Sequence, residues 1–545
     1  MQPSNCRRKP TRSVIHLALG CLLGCTPNDP GAKQVGKRPE EVVDTAGAGE
    51  VKPATAAEIA ALSDAELEAR IGREVESFCS ACHALPQAAE APREMWRDEV
   101  ERAYGFQASS PRRREPAPDQ EAVVAYFERR AMAYDDFSVP ALGDADPGRL
   151  QFRKTTVHIS DDLPAIAALS LVRLEPDAPP TLLACDMRRG GLFSIGPNGE
   201  YEPLVKPGSG ALLNPCHVEP CDLDGDGLID LVVADLGDFY PNDRLLGRVV
   251  WLKHSPAGGF EPIVLATALG RVADVQPADF DGDGDQDLLV AEFGLFESGS
   301  ILLLKNLGVE GGRPRFEFQR VDPRHGTIHV PTADLNGDRR LDFVALISQE
   351  HEVVDAFLNQ PDGTFERRQI YAAPNPSWGS TGIQLVDLDA DGDLDLLCTN
   401  GDGYDRGYLK PYHSIQWLEN MGSFPWLPHP LANVPGCHRA LAGDLDGDGD
   451  LDIVAVALLR GEILARFGRE RFDAVCWLEQ TGPGRFRRRT LERSTCDHLA
   501  LAMADFDADG DLDMAMGNFH IGDTKDATVP PALTIWWNET PGATQ

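Results

Sequence analysis

One pattern, D-x-[DN]-x-D-x-x-x-D followed by an apolar run, occurs six times, beginning at Asp222, Asp279, Asp334, Asp387, Asp444 and Asp505. The intervals are 57, 55, 53, 57 and 61 residues. A period of this size marks a repeat architecture, in which no unit buries its apolar face alone and each must stack on its neighbours. Alternating oxygen donors with a Gly or small residue at the turn wrap one hard cation, as in an EF-hand loop. Here the apolar run after each loop reads as a short strand rather than a helix, so the ion would clip a β-hairpin.

The ligand set this predicts is Asp222, Asp224, Asp226 and Asp230; Asp279, Asp281, Asp283 and Asp287; Asp334, Asn336, Asp338 and Asp342; Asp387, Asp389, Asp391 and Asp395; Asp444, Asp446, Asp448 and Asp452; and Asp505, Asp507, Asp509 and Asp513. These are 23 carboxylates in a chain of 545 residues with a formal charge of −35. Without metal each loop packs like charges at a cost on the order of 1 kcal/mol per pair even in strongly screening surroundings. Structural calcium is therefore expected. The same charge argues against nucleic acid as a partner, because a phosphate backbone would be repelled.

The loops resemble the FG-GAP and VCBS repeats of integrin-alpha-like propellers, and that resemblance implies four strands per unit. Thr181-Leu182-Leu183-Ala184-Cys185-Asp186 aligns with Asp230 to Asp235 and marks a degenerate unit, whose ligand positions hold Arg173, Glu175, Asp177 and Thr181. The expected fold is thus mainly β, a seven-bladed β-propeller over residues 149–545 with six calcium-loop blades and one degenerate blade. A ring must close or leave a bare sheet edge. The last unit stops at Trp536-Trp537-Asn538, and residues 149–158 resemble its missing fourth strand, so they are expected to close the ring.

The N-terminal part carries different chemistry. Arg7, Arg8, Lys9 and Arg12 precede an apolar run from Val14 to Gly24, the pattern of an export signal. Leu22-Leu23-Gly24-Cys25 resembles the bacterial lipobox, which implies a lipid anchor on Cys25, a signal peptide over 1–25 and a membrane-anchored lipoprotein facing the periplasm or cell surface. Residues 26–56 read as a flexible tether. Cys79-Ser80-Ala81-Cys82-His83 is the attachment sequence for c-type haem: two thiols reach the porphyrin vinyls and the adjacent imidazole ligates iron. A local disulfide or half a zinc site are the competing readings. Residues 57–140 resemble a small all-α monohaem cytochrome c-like domain, with Met95 favoured as sixth ligand, Met132 second, and an open iron as the alternative.

Topology sorts what remains. The calcium loops join first and second strands and share one face. The opposite face takes the lead-ins to the first strands, with His217, His329, His438 and His498, and the second-to-third loops, with His351, His413 and His520. If first strands line the axis, His217, His329, His438 and His498 point into a central channel able to hold a transition metal, a redox cofactor or an anion; the alternative is hydrogen bonding to neighbouring backbone. Cys216 with Cys221, and Cys437 with Cys496, are disulfide or soft-metal candidates. No Ser-His-Asp order, phosphate-cradling glycine loop or zincin motif stands out.

Three functions follow: electron transfer through haem coupled to capture of a small-molecule ligand or a redox partner protein; a quinone- or metal-dependent oxidoreductase that passes electrons to its own haem; or an adhesion or scaffold propeller. The whole arrangement resembles a bacterial, planctomycete-like family, and that resemblance implies no reaction.

Overall fold

The computed structural model describes residues 56–80, 84–109, 116–174, 180–403, 407–521 and 529–541. The expected signal peptide with Cys25 and the expected tether up to residue 55, together with Cys82, His83, Glu175, Asp177 and Tyr404, lie outside them. Residues from Ala54 onward form one compact unit. Among the described residues no helix is long and apolar enough to cross a membrane.

The described strands make seven sheets, which are numbered here as blades in chain order. Blade 2 is representative: Pro215–Cys221, Asp230–Asp235, Gly247–His254 and Phe260–Leu269 pair antiparallel in sequence order. The inner strands of the other blades are Ile166–Val172 (blade 1), Val272–Ala278 (blade 3), Thr327–His329 with Thr332–Ala333 (blade 4), Ser380–Val386 (blade 5), Cys437–Gly443 (blade 6) and His498–Ala504 (blade 7). Each lies against the inner strand of the next blade, and blade 7 returns to blade 1, so the ring is closed. Pro331, which has no N–H to give, splits the inner strand of blade 4. Second strands such as Asp230–Asp235 and Asp342–Ile347 are buried along their whole length, which explains their unbroken apolar runs.

The closing strand is Phe152–Val157. It pairs antiparallel with Leu533–Asn538 and completes blade 7 with its fourth strand, as expected. Val157 is buried, the Lys154 ammonium sits 3.3 Å over the Trp536 ring, and Trp537 Nε1 donates to Thr155 Oγ1 at 3.0 Å.

Ahead of the ring, Ala56–Ala60, Asp64–Leu67, Glu68–Gly72, Arg73–Cys79, Trp96–Ser109 and Gln120–Glu128 are short helices. Leu67, Val75, Trp96, Val123 and Phe127 form their core, with Trp96 stacked on Phe127 at 4.1 Å. Tyr408 of blade 5 is buried in the same core. The helices dock on second-to-third loops: Tyr134 OH accepts from Leu409 N–H at 2.9 Å, Tyr134 packs on Phe467, and Phe106 meets Phe296 at 4.6 Å.

The described cysteines are all free, which corrects the disulfide reading. Cys216 and Cys221 sit five residues apart on one strand, with a β-bulge at Cys216. Cys216 Sγ instead lies 3.3 Å from the Val272 carbonyl.

Candidate functional site

Two groups of side chains stand out, one in the loops and one on the axis. In the loops, the first aspartate is held by the turn it caps. Asp222 accepts from the N–H of Asp226 at 3.1 Å and of Gly227 at 2.9 Å. Asp387, Asp444 and Asp505 accept from the corresponding N–H groups at 3.0–3.1 Å. The fourth and sixth positions take positive φ, which is why Gly225 and Gly227 stand there, and Ala390 and Ala508 adopt the same conformation against their preference. Ligand oxygens of Asp222, Asp224 and Asp230 lie within 4.8 Å of one another; those of Asp279, Asp281 and Asp287, of Asp387, Asp389 and Asp395, and of Asp444, Asp446 and Asp448 do the same.

The ninth-position aspartates, Asp230, Asp287, Asp342, Asp395, Asp452 and Asp513, are at most 1% exposed. Each takes an N–H from the end of the third strand: His254, Asn306, Asn359, Asn420, Gln480 and Asn538, at 2.7–2.8 Å. Burial pushes Asp287 and Asp513 up to about 6 and Asp452 to about 7. The Asn or Gln side chains return a bond to the backbone just before that aspartate, as Asn306 does to Gln286 and Asn538 to Leu512. Sequence reasoning missed these partners, although an Asn or Gln recurs 17 to 28 residues after the aspartate in five units. Basic side chains meet some loops: Lys253 contacts Asp224 and Asp226, Lys305 lies 2.5 Å from Asp281, Arg340 contacts Asp338, and Arg149 lies 3.0 Å from Asp446.

On the axis, the third residue of each inner strand forms a ring: Ala168, His217, Asp274, His329, Gly382, Arg439 and Ala500. His217 Nε2 lies 2.7 Å from Glu219 Oε1 and 3.1 Å from Asp274 Oδ1. Gln276 donates to Asp274 at 3.0 Å, and Val330 N–H to its other oxygen at 2.9 Å. His329 Nδ1 is 3.7 Å from Asp274, and the far nitrogen of His329 is 3.3 Å from Arg439 across the ring. Gly382 leaves room for that guanidinium: a Cβ there would stand 3.3 Å from Arg439. Burial opposes charge on His217, but Asp274 and Glu219 carry it up to about 9. Burial alone would raise Asp274; His217 and His329 hold it well below the usual carboxylate range. Burial lowers His329. Two carboxylates thus face His217 and Arg439, a balanced set that joins blades 2, 3, 4 and 6.

The four predicted channel histidines therefore divide. His217 and His329 meet at the ring, whereas His438 is the second residue of its strand and His498 the first. His438 sits beside Asp402 and His413. His498 Nδ1 contacts Asn518 Oδ1 at 2.7 Å, a structural bond to side chain rather than backbone. His413 is buried and takes the Gly436 N–H at 3.3 Å. His520 lies 3.3 Å from Asp497, and His351 packs against His325 in blade 4.

In the helical part, Cys79 ends its helix half-buried against the apolar core, and burial pushes its thiol up to about 11. Met95 packs on that core as well. Met132 is 47% exposed.

The repeat pattern matches a family model described as FG-GAP-like repeat, over residues 195–290 and 332–398. The chain carries FG-GAP-like repeats. The seven sheets make a β-propeller, and the match shows FG-GAP-like repeats over those residues of it. Among curated proteins none matches in sequence. Of solved structures, virginiamycin B lyase from Staphylococcus aureus is 10% identical at a TM-score of 0.43, covering 71% of this chain and 99% of its own. BBS1N in complex with ARL6DN gives 10% and 0.43, covering 73% and 99%. An ancestral GH74 enzyme gives 9% and 0.48, covering 73% of this chain and 52% of its own. Likenesses at these values carry nothing about activity.

Proposed function

We propose that this FG-GAP propeller is an exported lipoprotein that binds calcium in six loops and carries covalent c-type haem, serving electron transfer coupled to capture of a ligand or redox partner. What supports calcium is one observation made repeatedly. In four loops three carboxylate oxygens converge within 4.8 Å, each set presented by a turn whose own N–H groups fix the first aspartate. All-oxygen donors of this kind suit a hard divalent ion. The ion would neutralise like charges and tie second strand to third through the buried ninth-position aspartate.

Haem rests on Cys79, Cys82 and His83, and the described part fits it. Cys79 is presented at a helix end on an apolar core that also holds Met95. Bound there, haem would supply one-electron chemistry. The chain's own part would be attachment through Cys79 and Cys82, ligation by His83 and exclusion of water by Trp96 and Phe127. Export and anchoring rest on the first 25 residues.

Metal analysis with a visible spectrum, on protein matured where haem is attached, tests the reading. Stoichiometric iron in covalent haem plus about six calcium ions per chain is expected. A protein without haem absorption, or one whose melting temperature ignores a calcium chelator, would refute the corresponding half.

A further inference from the structure

Blade 4 brings together three side chains that neither the calcium loops nor the axis uses. Glu350 and His351 stand in the turn between Asp342–Ile347 and Val353–Asn359, and His325 precedes the inner strand that begins at Thr327. His325 Nε2 lies 2.9 Å from Glu350 Oε1, and the two imidazole rings are 4.9 Å apart at 51°. One ligand atom from each residue falls within 4.8 Å of the other two. Nε2 of His325 and Nε2 of His351 are both shielded from water; the first has only the Glu350 carboxylate beside it, and the second has no hydrogen-bond partner. Buried polar atoms are normally paired, so an orphaned imidazole nitrogen beside a second imidazole and its carboxylate needs an explanation.

The two segments are pinned in place. Ser348 N–H donates to the Gly326 carbonyl at 2.8 Å, and the Ser348 hydroxyl to the same oxygen at 3.2 Å. Gly326 has φ +90°, and a Cβ there would stand 2.7 Å from the Ser348 carbonyl, so only glycine allows this approach. Gln349 and Glu352, which bracket Glu350 and His351, both take positive φ, a strained backbone of the kind that collects at functional sites. Arg324 does not compete for Glu350, because Asp322 and Asp355 hold its guanidinium at 2.9 and 2.7 Å.

We propose that His325, Glu350 and His351 form a transition-metal site, with zinc as the resident ion and its fourth position open to water or a ligand. Two imidazoles and one carboxylate are the donor set of catalytic zinc sites, and imidazole is a poor match for calcium. The site lies among the second-to-third loops, on the face opposite the acidic loops, and depends neither on calcium nor on haem.

The full chain is dialysed against zinc in millimolar calcium, which fills the acidic loops, and metal content is read by mass spectrometry. One retained zinc per chain is expected. His325→Gln and His351→Gln should each weaken it by more than the ~10–100-fold that loss of a supporting hydrogen bond costs. His429→Gln, in a pair with Glu419 on blade 5, should leave it unchanged. Zinc-edge X-ray absorption of the unaltered protein should show imidazole scattering. No retained zinc, zinc held equally by both histidine variants, or an all-oxygen shell overturns the proposal; the last measurement decides even if a variant misfolds.

Discussion

Asp513 separates the structural and the metal-binding duties of a loop. It is 1% exposed and accepts from Asn538 N–H at 2.8 Å and Phe506 N–H at 3.0 Å. Asp513→Ala leaves both donors buried and unmet, at about 1.5–3 kcal/mol for each bond to a charged acceptor, so roughly 3–6 kcal/mol. Asp513→Asn keeps one oxygen and should cost about half as much. Calcium adds a second effect: a site held 100-fold above its dissociation constant stabilises by about 2.7 kcal/mol, which both variants forfeit only when calcium is present. The assay is the urea midpoint read through the buried Trp536 and Trp537 of the same blade, in calcium and in chelator, because a ring of blades need not unfold in one step. The variants should be more destabilised in calcium than in chelator, and calorimetry should count one calcium fewer. An Asp513→Asn penalty identical in both buffers would refute the ligand role, and an Asp513→Ala protein as stable as the parent in chelator would refute the hydrogen-bond reasoning.

Deleting residues 149–157 exposes the edge of blade 7 and should lower the melting temperature sharply and promote self-association; an unchanged melt by calorimetry would show that the pairing of Phe152–Val157 is dispensable. The His217 pKa is raised from 6.5 to about 9, so its contribution, about 3 kcal/mol, is complete below pH 6.5 and disappears as pH rises through about 9. Unfolding midpoints across that range should fall more steeply for the parent than for His217→Gln, and parallel profiles would contradict the ion-pair geometry. Lys253→Met removes a cation that contacts Asp224 and Asp226, so calcium at the Asp222 loop should tighten by about tenfold or more by calorimetry, an outcome that no change would exclude.

The blade count, the ring closure and the loop positions were legible because each is carried by local pattern: aspartates at alternate positions, an apolar run after them, and a missing fourth strand that had to be supplied. The axial cluster was legible only in part. A bulge after the first residue of the inner strand, seen in blade 2 between Pro215 and His217, sets which side chain faces the axis. The facing residue stands five positions before the loop's first aspartate, as His217, Asp274, His329, Gly382, Arg439 and Ala500 do. His438 and His498 stand six and seven before it, which takes them off the ring. Grouping residues by type rather than by that count joined histidines of different roles and passed over Asp274 and Arg439. The pairing of Asp230-type carboxylates with third-strand amides was hard to see for a different reason: the donor is backbone, and its one trace in residue type is the Asn or Gln that stands there in five units.

The docking of the helices gives the two faces of the ring different work. Calcium would bind where second strands begin, far from the loops that carry His325 and His351, so its effect is on blade integrity and closure. The helices rest on the other face and share their core with Tyr408 of blade 5. Phe106 meets Phe296, and Gly299, at the end of the same loop, abuts His325, where an added Cβ would stand 2.7 Å from the His325 Cβ. Cys79, packed on the shared core, is therefore linked through helix Trp96–Ser109 and one short loop to the His325–Glu350–His351 cluster. A ligand held at that cluster and a redox group held at Cys79 would be joined through the half-exposed Phe106–Phe296 contact and through the core shared with Tyr408, and those two contacts are the physical reason to expect the helices and the ring to act together rather than as two modules on one chain.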